Sequence, residues 1–367
     1  MKNKKILFVA NNSDIVILRF RKEVLQTFAK KDYDVTLVSP ESADIKVFCD
    51  ENNIKHISVD INRRGKNPLT DLKLLITYFK IIKTEKPDYI FSYTIKPNLY
   101  VGLVNLFFRK KFFPNVTGLG SVFANNNLLT KLVVSLYKLS FRSATKVFFQ
   151  NTQNKQLFLD KNIIKAEKSI LLPGSGVNLD KYRYVDYPKD DGEIKFVFLG
   201  RIMKEKGIYE LISAFKYFSE KYNNICLDIY GFCEGDEQNL RDSIRNYENI
   251  CYKGFVEETE VVIISCNAIV LPSYHEGLSN VLLEASAMGR PVLASNIPGC
   301  KETFDDGVSG FGFDPKNVEA LVNAMDKFIK LPYTKKYEMG LNSRKKVEKE
   351  FDRNIVVKKY LEQIEAL

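Results

Sequence analysis

A chain of 367 residues, 45% hydrophobic and 27% charged, has the length of two domains and the composition of an ordinary globular protein, which excludes one small module and a disordered chain. No apolar run approaches the ~20 residues of a spanning helix, and Asn11, Asn12 and Asp14 end the first apolar run before it reaches signal-peptide length. The net charge of +10 hides an asymmetry: residues 1–180 carry 29 basic against 15 acidic side chains, a net of +14, and residues 181–367 carry 26 against 30, a net of −4.

KILFVA (5–10) reads as the first strand, followed by DVTLVS (34–39), KHISVD (55–60), DYIFSY (88–93), a run near FFPNVT (112–117) and KVFFQ (146–150). Amphipathic stretches at 16–30, 69–85, 97–109 and 128–142 separate them, so the first half is a series of βα units forming a parallel sheet with helices on both faces. Residues 89–159 contain no carboxylate but nine cations, including Lys96, Arg109, Lys110 and Lys111, beside Phe107, Phe108, Phe112 and Phe113. Those phenylalanines are expected at the surface, where basic charge mixed with apolar bulk fits an anionic membrane or ligand. After the turn Gly174-Ser175-Gly176, the polar, aperiodic segment 181–193 reads as the domain boundary.

The alternation restarts with KFVFLG (195–200), ICLDIYG (225–231), ICYKG (250–254), NAIVLP (267–272), PVLAS (291–295) and SGFGF (309–313). Helices are expected near 207–222, 236–247, 279–289 and 315–330, with two more over 333–367. The expected architecture is α/β: two doubly wound parallel-sheet domains, 1–180 and 181–350, with a helix at 351–367 free to pack back on the first. Ligands of such sheets bind beyond the carboxyl ends of the strands, here in a cleft between the halves. Six cysteines without a C-x-x-C pair and two histidines make neither a disulfide framework nor a His-rich metal site, and the thiols are expected reduced.

Two loops carry chemistry. KFVFLG ends in Gly200-Arg201, and Met203-Lys204-Glu205-Lys206-Gly207 leads into a helix. Gly200 admits a ligand to the backbone, and Arg201 and Lys206 can be aimed at anionic oxygens beside a helix N-terminus, a diphosphate cradle without the Walker lysine pattern. After NAIVLP, Glu276 falls in the loop and Glu284 about a turn inside the next helix, so two carboxylates can line one ligand at two heights. Gly277, Leu278 and Ser279 open that helix and offer backbone N–H groups to an anion. Singly, each has an ordinary reading as a solvated loop or helix charge.

GRIMKEKG, PSYHEGLSNVLLEASAMGRPVLAS with its E-x7-E spacing, and IPGCKE together resemble the retaining glycosyltransferases of family 4, whose fold is GT-B. The first half is similar, more loosely, to a bacterial subgroup that transfers N-acetylhexosamine-type sugars in capsule, O-antigen and glycan-precursor assembly. The matching residues are Arg19-Phe20-Arg21, Tyr93-Thr94-Ile95-Lys96-Pro97-Asn98 and Asn115-Val116-Thr117-Gly118-Leu119-Gly120. The resemblance implies a UDP-sugar donor, with Arg201 and Lys206 on its diphosphate, Glu276 on the transferred sugar and Glu284 on the ribose. Gly200, Gly277, Leu278 and Ser279 would complete the donor site. It implies a saccharide acceptor on a polyprenyl diphosphate, met by Arg19, Arg21, Lys96, Asn98, Thr117 and Gly118, and transfer of GalNAc, GlcNAc or FucNAc. Also implied are a cytoplasmic enzyme attached peripherally to the inner face of the membrane, no metal or other cofactor, and no nucleic-acid partner.

Thr117-Gly118 stands where many members of the wider family carry a histidine facing the donor sugar. No side-chain base is identifiable, so retention reads as same-face attack in which the leaving phosphate oxygen takes the proton. His275, next to Glu276, is a candidate cleft residue. Asp32-Tyr33-Asp34 fits a D-x-D cation motif but precedes a strand, at the end opposite the cleft, and reads as turn chemistry. Gly118-Leu119-Gly120 is no dinucleotide fingerprint, because Phe123 occupies the third glycine's place. Two other functions fit less well: a GT-B nucleotide-sugar epimerase, separable by products from donor alone, and a non-catalytic binder of anionic polymer, which lacks a recognised nucleic-acid module.

Overall fold

The computed structural model describes residues 3–61, 67–118, 128–234 and 236–366; Leu119, Gly120 and Phe123 lie outside them. Most of the apolar runs become parallel strands buried on both faces, which is why those read as continuous rather than alternating. In the first unit β1 (Lys5–Val9), β2 (Asp34–Ser39), β3 (Lys55–Ser58), β4 (Tyr89–Tyr93), β5 (Lys111–Val116), β6 (Val147–Phe149) and β7 (Ser169–Leu171) pair in the order β3-β2-β1-β4-β5-β6-β7. Ile6 is in register with Val35 on one side and Tyr89 on the other. In the second unit β8 (Ile194–Leu199), β9 (Ile225–Tyr230), β10 (Ile250–Gly254), β11 (Ala268–Leu271), β12 (Val292–Ser295) and β13 (Gly310–Phe313) pair in the order β10-β9-β8-β11-β12-β13. Chain order reverses beside β1 and beside β8, the switch points where strand-end loops diverge and leave room for a ligand.

Two cores cover the first sheet. Phe8, Phe28, Phe91, Phe113 and Phe148 lie on one face, and Leu7, Ile90, Phe112, Phe149 and Phe158 on the other. Phe112 and Phe113, expected at the surface, are instead fully buried, because neighbours in a strand point to opposite faces and both faces are covered. Phe107 is 79% exposed, and Phe108 is half-buried with its ring 4.9 Å from that of Phe79.

The helix expected over 16–30 is two pieces. A π-helical turn, Ser13–Arg19, starts where the Asn12 side chain accepts the Ile15 N–H at 2.6 Å; the chain then breaks at Phe20-Arg21 before the α-helix Lys22–Lys30. The chain divides into Met1–Ser175 with Val356–Leu367, and Gly176–Ile355. The polar segment 181–193 belongs to the second unit: Tyr182 and Tyr187 are buried, and the buried Arg290 guanidinium donates to the carbonyls of Val185 and Asp186 at 2.9 and 3.2 Å. The helix Arg353–Glu365 starts in the second unit and ends in the first, where Val356, Tyr360 and Ile364 join the core of Phe91 and Phe148.

Candidate active site

Pairing of β8 with β9 continues beyond both strands, with Gly200 N–H donating to Tyr230 O at 3.1 Å and Ile202 N–H to Phe232 O at 2.9 Å. The exposed Arg201 side chain meets Glu234 from the neighbouring strand end, donating to Oε1 at 2.8 Å. A half-solvated pair of this kind is worth roughly 0.2–1 kcal/mol, so a stronger anion can take the guanidinium. Beside it, Met203, Lys204, Tyr209, Glu234, Asp236 and Leu240 help line a hollow of about 230 Å³.

The 3-10 turn Lys204–Lys206 is closed by Gly207 at φ +69°. A Cβ there would stand 2.1 Å from the Pro272 carbonyl oxygen, so only glycine lets the loop after β8 touch the loop after β11. These loops are joined by the Tyr274 N–H donating to the Glu205 carbonyl at 2.9 Å. The contact brings together residues 70 apart: Lys206 Nζ donates to Glu276 Oε1 at 2.5 Å, and Ser273 Oγ donates to the same oxygen at 2.8 Å. Lys206 and Glu276 are 17% and 13% exposed, screened from most but not all solvent. The Tyr274 hydroxyl donates to Glu210 at 2.6 Å; burial, then that bond, pushes its phenol up to about 12. His275 is exposed.

The helix Asn280–Ala287 follows Ser279. The Ser279 N–H, expected to face an anion, donates at 2.8 Å to the carbonyl of Gly299, and Leu278 is buried in the core. Glu284 is no surface carboxylate: it is 3% exposed and accepts from Thr259 Oγ1 at 3.2 Å, itself 3.0 Å from the Tyr182 hydroxyl. Cys300 is fully buried, and that burial first, then the charge of Glu276, raises its thiol well above the ordinary range.

In the first unit, Arg21, Asn98 and Thr117 belong to two polar groups at the carboxyl ends of the strands, Arg21 and Thr117 to one through Gln150 and Asn98 to the other through Ser92 and Asn115. Arg21 is 2% exposed, donates to the Phe20 carbonyl at 2.7 Å and lies 5.5 Å from the Tyr93 ring centre. The Gln150 amide, oriented to satisfy both its ends, accepts from Arg21 at 2.8 Å and donates to the Thr117 carbonyl at 3.1 Å. Buried Asn98 accepts from Ser92 Oγ at 2.6 Å and donates to the Asn115 carbonyl at 2.8 Å. The Tyr360 hydroxyl donates to Asn115 Oδ1. Gly118 is half-buried, and among the described residues no atom lies within 4 Å of where its Cβ would be. Lys96 is drawn aside into an ion pair with Asp71 at 2.7 Å, and exposed Arg19 lies over the Phe20 ring. Asp34 opens β2 at its amino end, away from these groups, and pairs with Lys5 at 3.5 Å. Sequence reasoning missed Glu234, Ser273, Thr259 and Gln150; only the first had a usable signal, a carboxylate just past the glycine that ends its strand run.

The model of the glycosyl transferases group 1 matches residues 185–346, and that of the glycosyl transferase 4-like proteins residues 5–151. The chain is 27% identical to the capsular polysaccharide biosynthesis glycosyltransferase CapM of Staphylococcus aureus, over 97% of this chain and 95% of that one. It is 25% identical to the N,N'-diacetylbacillosaminyl-diphospho-undecaprenol alpha-1,3-N-acetylgalactosaminyltransferase of Campylobacter jejuni, over 94% of each. It is 23% identical to the UDP-Gal:alpha-D-GlcNAc-diphosphoundecaprenol alpha-1,3-galactosyltransferase of Escherichia coli, over 92% and 90%. The structure of Anabaena HepE in complex with UDP and glucose superposes over 100% of both chains with a TM-score of 0.80 at 17% identity. That likeness is one of fold, the two-sheet GT-B architecture.

Proposed function

A chain that joins a glycosyl transferase 4-like domain to a glycosyl transferases group 1 domain belongs to the glycosyltransferases, and on that premise we propose that it moves an N-acetylated hexose from a UDP-sugar to a saccharide carried on a polyprenyl diphosphate, with retention of configuration. One observation carries this reading: the cation of Lys206 and the carboxylate of Glu276, from loops after neighbouring strands, held together at 2.5 Å. A sugar diphosphate offers each a new partner, phosphate oxygens for the ammonium and sugar hydroxyls for the carboxylate. Donor binding therefore exchanges one ion pair for two charge-assisted contacts.

As the anomeric C–O bond breaks, its electron pair goes to the diphosphate, and Lys206 and Arg201 stabilise that charge from fixed positions. Glu276 opposes the positive charge on the ring. The acceptor hydroxyl forms the new bond on the same face and passes its proton to the departing phosphate oxygen, so no side chain has to act as base. Two cations on the diphosphate fill the role of a divalent ion, and transfer is expected to need no metal. The relatives from C. jejuni and E. coli, whose names specify diphospho-undecaprenol substrates, support the acceptor class. The first of them supports the N-acetylated sugar and the second the UDP donor.

The test is a panel of UDP-sugars incubated with a polyprenyl-diphosphate-linked saccharide, with the product anomer read by NMR. Acceptor-dependent release of UDP and an α-linked product from one UDP-N-acetylhexosamine is the expected result. Conversion of the donor to an isomer without acceptor would point instead to an epimerase.

A further inference from the structure

The helices Pro68–Glu85, Ile95–Phe108 and Leu128–Phe141 pack side by side over one face of the first sheet. The first of them is apolar twice over. Leu74, Tyr78 and Ile82 form its buried stripe, whereas Leu69, Leu72, Ile76 and Phe79, at helical spacing on another side, are 70%, 55%, 48% and 37% exposed. A helix needs only one apolar stripe to join a core. The outer stripe is continuous with the next helix, where the ring of exposed Phe107 lies 6.2 Å from that of Phe79, and the third helix adds exposed Leu132 and Leu139.

Charge on these helices is one-sided. Lys73, Lys80, Lys83, Lys131 and Lys138 are exposed, while the acidic side chains of the first helix, Asp71 and Glu85, are held by Lys96 at 2.7 Å and Lys55 at 2.8 Å. Residues 89–159 have no carboxylate. A second copy meeting this face across a twofold axis would set cation against cation. An anionic bilayer satisfies both features, with phosphate headgroups for the lysines and the acyl boundary for the leucines and phenylalanines.

We propose that this three-helix face docks the enzyme on an anionic phospholipid surface, with the helix Pro68–Glu85 lying in the interface. The apolar groups that meet the lipid are thus on the outer faces of the helices, and Phe112 and Phe113, expected at the surface, are buried. The purpose of docking rests on the lipid-linked acceptor; its test needs no acceptor.

The protein is sedimented with vesicles of phosphatidylglycerol or of phosphatidylcholine, at low and raised salt. Wild type is expected to bind phosphatidylglycerol in a salt-sensitive way and phosphatidylcholine much less. Lys73→Glu/Lys80→Glu/Lys83→Glu should lower partitioning about 100-fold, and Leu69→Ser/Leu72→Ser/Phe107→Ser about 10-fold or more. Lys345→Glu/Lys349→Glu, at exposed positions of the second unit, should bind as wild type, and all variants should keep the wild-type melting temperature. Equal binding to both lipids, or wild-type binding by both triple variants, overturns the proposal. Lipid-free dimerisation abolished by the apolar triple variant would give the face to a second copy. Vesicle binding without transfer to a polyprenyl-diphosphate acceptor would leave the docking face standing and remove the acceptor.

Discussion

Lys206 has one ammonium group and two claimants, Glu276 in the free protein and the diphosphate in the proposed complex. Lys206→Ala and Arg201→Ala are each expected to lower kcat by ~10²-fold or more, with melting temperatures little changed because neither side chain packs in the core; turnover near wild type would remove the diphosphate assignment. Glu276→Gln should cut transfer while leaving UDP affinity intact or slightly raised, since it frees Lys206 from its competitor. Glu284→Gln should weaken free UDP about 10-fold, as loss of a charged hydrogen bond does. Calorimetry with UDP separates the two, and equal weakening would refute distinct sugar and ribose roles. Both charges of the central pair could be found from sequence, because each follows a strand and precedes a helix. Their contacts were less legible. Arg201 meets Glu234 only through the pairing of β9 with β8, which no periodicity records, whereas Ser273, three residues before Glu276, bonds it within one loop. The cysteines give an independent check on burial. Desolvation raises Cys49 to about 11 and Cys266 to about 12, and Cys300 is raised by the same cause. These three should resist alkylation in the native protein at mildly alkaline pH, where half-exposed Cys251 reacts, as read by peptide mass mapping.

The glycine that joins the two loops is the element-scale counterpart of that pair. Gly207→Ala puts a Cβ where the φ of +69° disfavours it and the Pro272 carbonyl already stands, so the second unit should lose about 2 kcal/mol or more, and UDP affinity should fall with it. A melting temperature and a UDP isotherm like those of wild type would show that the loops do not depend on the contact. The inner strands, such as β1, β11 and β12, were legible as apolar runs because burial on two faces leaves few polar positions to confuse the pattern. The first helix was not. Ile17, Val24, Leu25 and Phe28 are all buried on both sides of the break at Phe20-Arg21, so the apolar spacing runs on where the backbone leaves helical dihedrals. Phe112 and Phe113 misled for a different reason, since the three basic residues before them mark only the exposed start of β5.

Across the whole molecule, the helix Arg353–Glu365 is what the first unit lacks when taken as a continuous stretch. The Tyr360 ring stacks 4.7 Å from that of Phe148 and lies 5.4 Å from that of Phe91. Tyr360→Ala should destabilise the first unit by about 3–5 kcal/mol, and Tyr360→Phe by about 1–3 kcal/mol, leaving Asn115 Oδ1 buried without its donor. Urea unfolding of the two variants checks the order, and a phenylalanine variant as damaged as the alanine one would contradict it.

The same helix sets a timetable for the chain leaving the ribosome. Residues 176–355 form a continuous unit, free to fold once they emerge, whereas the sheet begun by β1 waits for residues 356–367 to cover Phe91, Phe113 and Phe148. The half synthesised first is therefore completed last, and its aromatic face stands open in the interval, when chaperones and aggregation compete for it. A nascent chain arrested with Ile355 outside the tunnel and Val356 still inside should yield a protease-resistant fragment spanning only 176–355. Release of twelve more residues should protect the beginning of the chain as well.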